Sequence, residues 1–507
     1  MIRYLKILVV TSSSAYELAK DVIKEIKGHE IDVCKLSHPV ASLMTTSYIA
    51  EELSGKVSER YDYVIVPGLA IGDASILKNV VGTEVIKGPK YLGDLPDVIK
   101  FLESGVKFST TQSADDIIKD YLATKYGSEF NYLIELKQGF DLSGLKIPLR
   151  PPPICLMYEV VMRDEGDYAK VLDRIKKASK QGADLVVVGL PVNHRVSLNT
   201  LKKLFQEVKS HLGRPVGIDV QHEDLIDYLE VDPDIIMNVD LNNIHLLSDY
   251  RDKPLVIIPA AGTSVDYSRS IREAVNEAVK SGFSKIIIDP LLKPLQLGFT
   301  ESLVNYYNVS KEFNYPIMMG LSNVYELFDV DTHSVIALLT SMAMELGVSV
   351  LLITEESRKS VNSLVEAVKA REMVYRAYFR KSPPIDVGVD LLIVKEKRGR
   401  GARIPEVTVD THVVSEAVPP KIDDEYYFKI YVDEVRKTIV VDVHDAKTDE
   451  CLKRYVGDKA TSLWRVISKH FPTLSVDHYS YLGYELCKAE ISLKLGRSYL
   501  QDYPLFS

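Results

Sequence analysis

Cysteine is scarce in this chain. Only Cys34, Cys155, Cys451 and Cys487 occur among 507 residues. They lie far apart, with no CxxC pair and no Cys/His ligand spacing. That excludes a disulfide scaffold, gives no linear sign of a zinc ribbon or iron–sulfur centre, and fits a reducing cytosol; no metal is expected. Long apolar runs are lacking too. The opening MIRYLKILVVTSSS holds an apolar stretch of about five residues, too short for a signal h-region. No later run reaches the roughly 20 residues of a membrane span, so a cytoplasmic chain without membrane contact is expected. Nor is there an excess of positive charge. Lys+Arg 62 against Asp+Glu 71 gives a net charge of -9, which disfavours a chain-wide grip on nucleic acid. The phosphate-binding signatures GxGxxG and GxxxxGK[ST] are also missing, so Thr11–Ser14, Pro67–Gly72 and the Lys87–Lys90 loop read as turns rather than a nucleotide site.

What is present is ordinary globular composition, 46% hydrophobic and 26% charged, in a length that suggests about three domains. Sparse Gln and Cys beside abundant Lys, Glu and Tyr fit a heat-adapted source. Residues 1–149 read as an α/β domain, with strands at Leu5–Thr11, Ile31–Leu36 and Tyr63–Pro67 and a helix over Ala15–Ile26. Arg150-Pro-Pro-Pro153 breaks the pattern, because a proline triplet favours an extended connector.

Over residues 150–380 strands and helices alternate without a break. Strands are expected at Ile154–Val161, Leu185–Gly189, Val216–Asp219, Ile235–Asn238, Leu255–Ile258, Lys285–Asp289, Ile317–Gly320 and Val348–Ile353. Helices are expected at Tyr168–Lys180, Leu198–Leu212, Arg269–Ser281, Ser334–Leu346 and Arg358–Tyr378. Eight β/α units in about 225 residues match a (β/α)8 TIM barrel, with an open doubly wound sheet as the alternative. Residues 385–507 read as an α+β domain, with a hairpin from Tyr427–Val432 and Thr438–Val443 and helices near Ala460–Lys469 and Tyr479–Gly496.

A barrel of this kind carries its chemistry at the C-terminal ends of the strands. There the sequence places Asp219, Asn238, Asp289 and Asn323. Two carboxylates and two amides at one mouth suit a flat heterocycle with an amino–imino–oxo edge. Further candidates are Glu159 as an acid or base and His222, Asn193 and His194 on neighbouring loops. Glu355 and Glu356 end strand eight, and the basic loop Arg398–Arg403 reads as solvated.

The region 150–378 resembles the pterin-binding domain shared by dihydropteroate synthase and the methyltetrahydropterin-dependent methyltransferases. The whole-chain order, with a tail running from Tyr481-Leu-Gly-Tyr-Glu-Leu-Cys-Lys-Ala-Glu490 to Gln501-Asp502, is similar to an archaeal group described as dihydropteroate synthase-related. The resemblance implies that Asp219, Asn238 and Asp289 hold a pterin. Asp289-Pro-Leu-Leu-Lys-Pro294 and Gly320-Leu-Ser-Asn-Val324 are similar to the methyltransferase loops, which implies pterin contacts at Gly320 and Ser322 and catalysis at Asn323. The synthase's "NVTPDSF" loop and closing Arg-x-His are absent, and Val324 stands where its substrate-binding lysine would be.

These features imply methyl transfer from a reduced pterin, of the tetrahydromethanopterin or tetrahydrofolate type, to an unidentified acceptor. The chain has no corrinoid-binding DxHxxG, so a corrinoid acceptor would come on a separate protein. Condensation of a pterin pyrophosphate with an aminobenzoate derivative, or pterin binding without catalysis, are the alternatives. Related barrels pair through their outer helices, which makes a homodimer an expectation.

Overall fold

The computed structural model describes residues 4–57, 60–122, 124, 139–192, 194–220, 225–260, 267–385, 387–395, 414 and 418–506. The chain divides into two compact units, Met1–Pro405 and Glu406–Ser507.

The first unit opens with four parallel strands, β1 (Lys6–Thr11), β2 (Glu30–Lys35), β3 (Tyr63–Val66) and β4 (Glu84–Lys87), in the order β2-β1-β3-β4. Successive side chains point to opposite faces. Leu8, Val10, Val64, Val66 and Val85 therefore pack on one side with Ile49 and Leu53 of the helix Thr46–Leu53. Ile7, Val9, Ile65 and Ile86 pack on the other with Val22, Leu95 and Ile99. The strand β4 is absent from the sequence reading, which made Lys87 part of a solvated turn. Lys87 is instead buried at the end of β4, its ammonium donating to the carbonyl of Ala70 at 2.7 Å.

A hairpin, β5 (Gly139–Leu142) and β6 (Leu145–Pro148), leads into the eight parallel strands of the barrel. These are β7 (Cys155–Val161), β8 (Leu185–Gly189), β9 (Val216–Asp219), β10 (Ile235–Val239), β11 (Leu255–Ile257), β12 (Ile286–Ile288), β13 (Met318–Gly320) and β14 (Val350–Ile353). They neighbour one another as β12-β11-β10-β9-β8-β7-β14-β13, and a parallel bridge from Ile288 to Ile317 joins the two ends. The ring is closed, so the open doubly wound alternative falls. Among the helices around it are Tyr168–Gln181, Leu198–Glu207, Phe299–Glu312, Thr332–Glu345 and Ser363–Arg380.

One set of alternating strand residues, including Leu156, Val186, Val188, Ile218 and Ile236, packs against these helices. The other set, Cys155, Met157, Leu185, Val187, Ile235, Met237, Val256, Ile287, Met318, Val350 and Leu352, fills the barrel together with Leu142 and Ile147 of the hairpin. The hairpin reaches the N-terminal ends of the strands: the Ser143 hydroxyl donates to Asp234, the residue before β10, at 2.6 Å. The hairpin thus covers the N-terminal end of the barrel core, opposite the C-terminal mouth. Arg150 clamps the same end. Its guanidinium donates to the carbonyls of Leu149, Ser310, Phe313 and Tyr315 at 2.6–3.1 Å, tying the connector to the end of the helix Phe299–Glu312.

The second unit is an antiparallel sheet of β15 (Tyr426–Asp433), β16 (Thr438–Asp445) and β17 (Cys451–Gly457), with helices Ala460–His470 and Val476–Leu495 on one face. Phe428, Ile430, Ile439, Val441 and Val443 meet Leu463, Ile467, Leu482 and Leu486 there. The sequence reading had only the first two strands. In β17 only Tyr455 is buried, so this edge strand lacks the apolar alternation by which a strand is read. Among the described residues no helix is long and apolar enough to cross a membrane.

Candidate functional site

The inward-facing series climbs each strand to the mouth and changes character there. On β7 it runs Cys155, Met157, Glu159, on β8 Leu185, Val187, Gly189, and on β9 it ends at Asp219. Gly189 is the register partner of Asp219, and a Cβ added to Gly189 would lie 2.5 Å from Glu159 Oε1. Glycine at that place gives Glu159 its room.

Asn238 sits where β10 loses its register against β11, at φ 57°. Asn tolerates this left-handed conformation better than most residues. The kink is held by Asn243, fully buried, whose amide donates to the Asn238 carbonyl at 3.1 Å. The Asn238 amide in turn donates to Asp219 Oδ1 in a short hydrogen bond. Asp289, directly after β12, is buried and accepts from the Tyr306 hydroxyl at 2.7 Å and from the backbone N–H of Leu291 at 2.9 Å. Leu291 pays for that contact with φ 63°, strain of about 1–3 kcal/mol for an ordinary side chain.

Gly320 ends β13, and a Cβ there would stand 3.2 Å from the Asn323 amide. Asn323 donates to the Leu292 carbonyl at 3.1 Å, linking the loops after β13 and β12. Ser322 is buried beside it. Ser322 and Asn323 border a cleft of about 390 Å³ with Glu326, Leu327, Thr354, Glu356 and Ser357.

The electrostatics of the mouth follow from three carboxyl groups, Asp289 buried and Glu159 and Asp219 half-buried. Burial pushes Asp289 up to about 6, against the opposing pull of Tyr306 and Leu291. Burial also raises Asp219 to about 6; the Asn238 hydrogen bond opposes this and the Asp289 charge adds to it. Glu159 is raised to about 8, by burial first and then by the charges of Asp219 and Glu356. At neutral pH the mouth therefore holds two ionised carboxylates and one mostly protonated acid.

Of the residues singled out in the sequence, Asp219 and Asn238 touch directly, Asp289 acts electrostatically on Asp219, and Gly320, Ser322 and Asn323 share the adjacent loop. His194 is exposed, its ring on the Arg163 carbonyl at 3.0 Å. Glu355 and Glu356 face Tyr158, Arg163 and Arg174. Asn193, His222 and the loop Arg398–Arg403 lie outside the described residues. Glu159, named from the sequence as a candidate acid or base, joins this group, and its alternation with Cys155 and Met157 marks it as inward-facing. One contributor had no place in the sequence-derived site. Tyr306 lies on a helix and gives no linear sign that it reaches Asp289.

Residues 422–502, within the second unit, match a family model described as PterinBD-DUF4346. Its description agrees with the resemblance to pterin-binding proteins read from the sequence. The uncharacterized protein MJ0107 of Methanocaldococcus jannaschii is 28% identical over 534 residues, covering 99% of each chain. Among solved structures, a dihydropteroate synthase of Xanthomonas albilineans aligns at 16% identity and TM-score 0.39, over 48% of this chain and 98% of that one. The 7,8-dihydropteroate synthase of Vibrio fischeri aligns at 17% and 0.37, over 45% and 94%. A phospho-2-dehydro-3-deoxyheptonate aldolase of Thermotoga maritima aligns at 16% and 0.37, over 46% and 73%. The assignment of the barrel stands on its own closed strand pairing.

Proposed function

We propose that the barrel mouth binds a reduced pterin through Asp219, Asn238 and Asp289, and that the chain passes a methyl group from it to an acceptor. The observation that carries the reading is the acceptor-rich character of the mouth. Asn238 spends an N–H on Asp219, and Asp289 uses only Oδ1 for Tyr306 and Leu291. Among the described residues no hydrogen bond engages the second oxygen of either carboxylate or the amide oxygen of Asn238. Such a set suits a ligand edge rich in N–H donors, as the amino-pyrimidine ring of a pterin is. Gly320 and Ser322 would line the same ring.

A pterin methylated at N5 would supply an electrophilic methyl group, and N5 leaves more readily once it is protonated or strongly hydrogen-bonded. The chain's own contribution would be to hold the ring in register and to manage that proton. Asn323, with its amide N–H on Leu292, keeps its oxygen for a hydrogen bond at the reacting nitrogen. Glu159, titrating near 8, is suited to hold a proton at neutral pH. The acceptor is unidentified; a corrinoid on a separate protein fits the lack of a corrinoid motif here.

The rival condensation would bring the negative charge of a pyrophosphate to the ionised Asp219 and Asp289, where like charges repel. The two readings separate in one assay. Protein is incubated with an N5-methyl tetrahydropterin and free cob(I)alamin as a stand-in acceptor. In parallel it receives hydroxymethyl-dihydropterin pyrophosphate, aminobenzoate and Mg2+. Appearance of methylcobalamin, lost in Asn323→Ala, is the expected result. Pyrophosphate release would put condensation in its place.

A further inference from the structure

The second unit gathers three side chains with different metal-binding atoms on one patch of its sheet. Asp442 and His444 stand two positions apart on β16, on the face opposite the core residues Val441 and Val443. Cys451 of β17 is the cross-strand partner of His444. A carboxylate oxygen, an imidazole nitrogen and the thiol sulfur all lie within 4.8 Å of one another. Asp442 and His444 are buried, and Cys451 is exposed. Tetrahedral zinc, with bonds of about 2.0–2.3 Å, needs ligand atoms roughly 3.3–3.8 Å apart. Cys451, exposed at the strand edge, is the side chain with room to turn toward the other two.

The surroundings are those of a ligand set rather than of three unrelated surface groups. His444 Nδ1 lies 3.0 Å from the Asp449 carbonyl. A carbonyl can only accept, so Nδ1 carries the proton and Nε2 presents its lone pair. Metal-ligating histidines commonly make this outer hydrogen bond, which fixes the ring and its tautomer. The ring is also stacked on Tyr427, with centroids 5.0 Å apart and planes at 23°. Arg454 grips Asp442 with two bonds of 2.6 Å, one to each oxygen, and each oxygen retains a second lone pair. Lys429, which also faces Asp442 across the strands, lies 3.4 Å from Asp449. The cations Arg454 and Lys429 thus stand against Asp442 and Asp449 beside Cys451.

We propose that Asp442, His444 and Cys451 bind one zinc-class divalent ion, with water as the fourth ligand, pinning the turn between β16 and β17. The site is independent of the pterin reading. It is invisible in the linear sequence, where no ligand spacing exists until the two strands pair.

The test uses the full chain, freed of metal with a chelator and then loaded with Zn2+ or Co2+. The expected outcome is one tightly held ion per chain after desalting, and with Co2+ a thiolate-to-metal charge-transfer band. His444→Ala and Cys451→Ser should each lose the ion. Cys451 is exposed, so its variant retains the fold, and an unchanged circular dichroism spectrum confirms that. Asp289→Asn should keep the ion, which separates this site from the carboxylates of the barrel mouth. No retained ion would show that Asp442 and Arg454 form only a structural ion pair. A cobalt spectrum without the thiolate band, or unchanged in Cys451→Ser, would equally overturn the proposal.

Discussion

The carboxyl of Asp289 depends on two donors, the Tyr306 hydroxyl and the Leu291 N–H, both of which stabilise its charged form against burial. Removing one has a definite sign. In Tyr306→Phe the Asp289 carboxyl titrates above its present value of about 6, and less of it is ionised at neutral pH. Pterin affinity at pH 7 should fall roughly tenfold, the cost of one hydrogen bond to a charged group. The midpoint of its pH dependence should move upward in a fluorescence titration. Glu159 gives the complementary case. Its folded-state value near 8 lies above the ordinary value of about 4.3. The folded protein therefore holds this proton more tightly than the unfolded chain does. The associated stability is complete at low pH and is lost as pH rises through about 8. Glu159→Gln, neutral at every pH, should be more stable than the parent at pH 9 by several kcal/mol, the cost of charging a carboxyl whose folded-state value is so far raised. It should differ little at pH 4. Chemical denaturation at the two pH values reads this directly.

At the scale of elements, the hairpin β5–β6 packs into the N-terminal end of the barrel, opposite the mouth. Ile147 is fully buried among the strand residues that fill the barrel. Ile147→Ala should cost about 2–4 kcal/mol of stability, measured by urea denaturation, while ligand affinity at the far end stays the same. This hairpin was not legible in the sequence. Each strand has four residues, too few to show a period, and its role depends on a barrel that forms later in the chain. The eight barrel strands were legible because each is a compact apolar run bounded by turns, buried on both faces as parallel strands are. Their ends also located Asp219, Asn238 and Asp289. The kink at Asn238, the strained Leu291 and the reach of Tyr306 could not be read, because all three follow from how neighbouring segments meet. The same holds for Asp442, His444 and Cys451, which come together only when β17 pairs with β16.

The whole molecule combines a unit that ends at Pro405 and a unit from Glu406 onward with its own hydrophobic core. The match to the PterinBD-DUF4346 description falls in the second, while the residues proposed to hold the pterin lie in the first. Residues 418–507, expressed alone, should unfold cooperatively, since about 90 residues with a contiguous core suffice for a small domain. Residues 1–405 should retain pterin affinity. The most direct test of the central claim is a titration of the full chain and of Asp289→Asn. The ligands are an N5-methyl tetrahydropterin, the unmethylated tetrahydropterin, and hydroxymethyl-dihydropterin pyrophosphate with Mg2+. Both tetrahydropterins should bind more tightly than the pyrophosphate, with affinity lost below pH 6 and reduced about a hundredfold in the variant, as expected when two charge-assisted hydrogen bonds are weakened. Preference for the pyrophosphate, or binding indifferent to Asp289, would contradict the account.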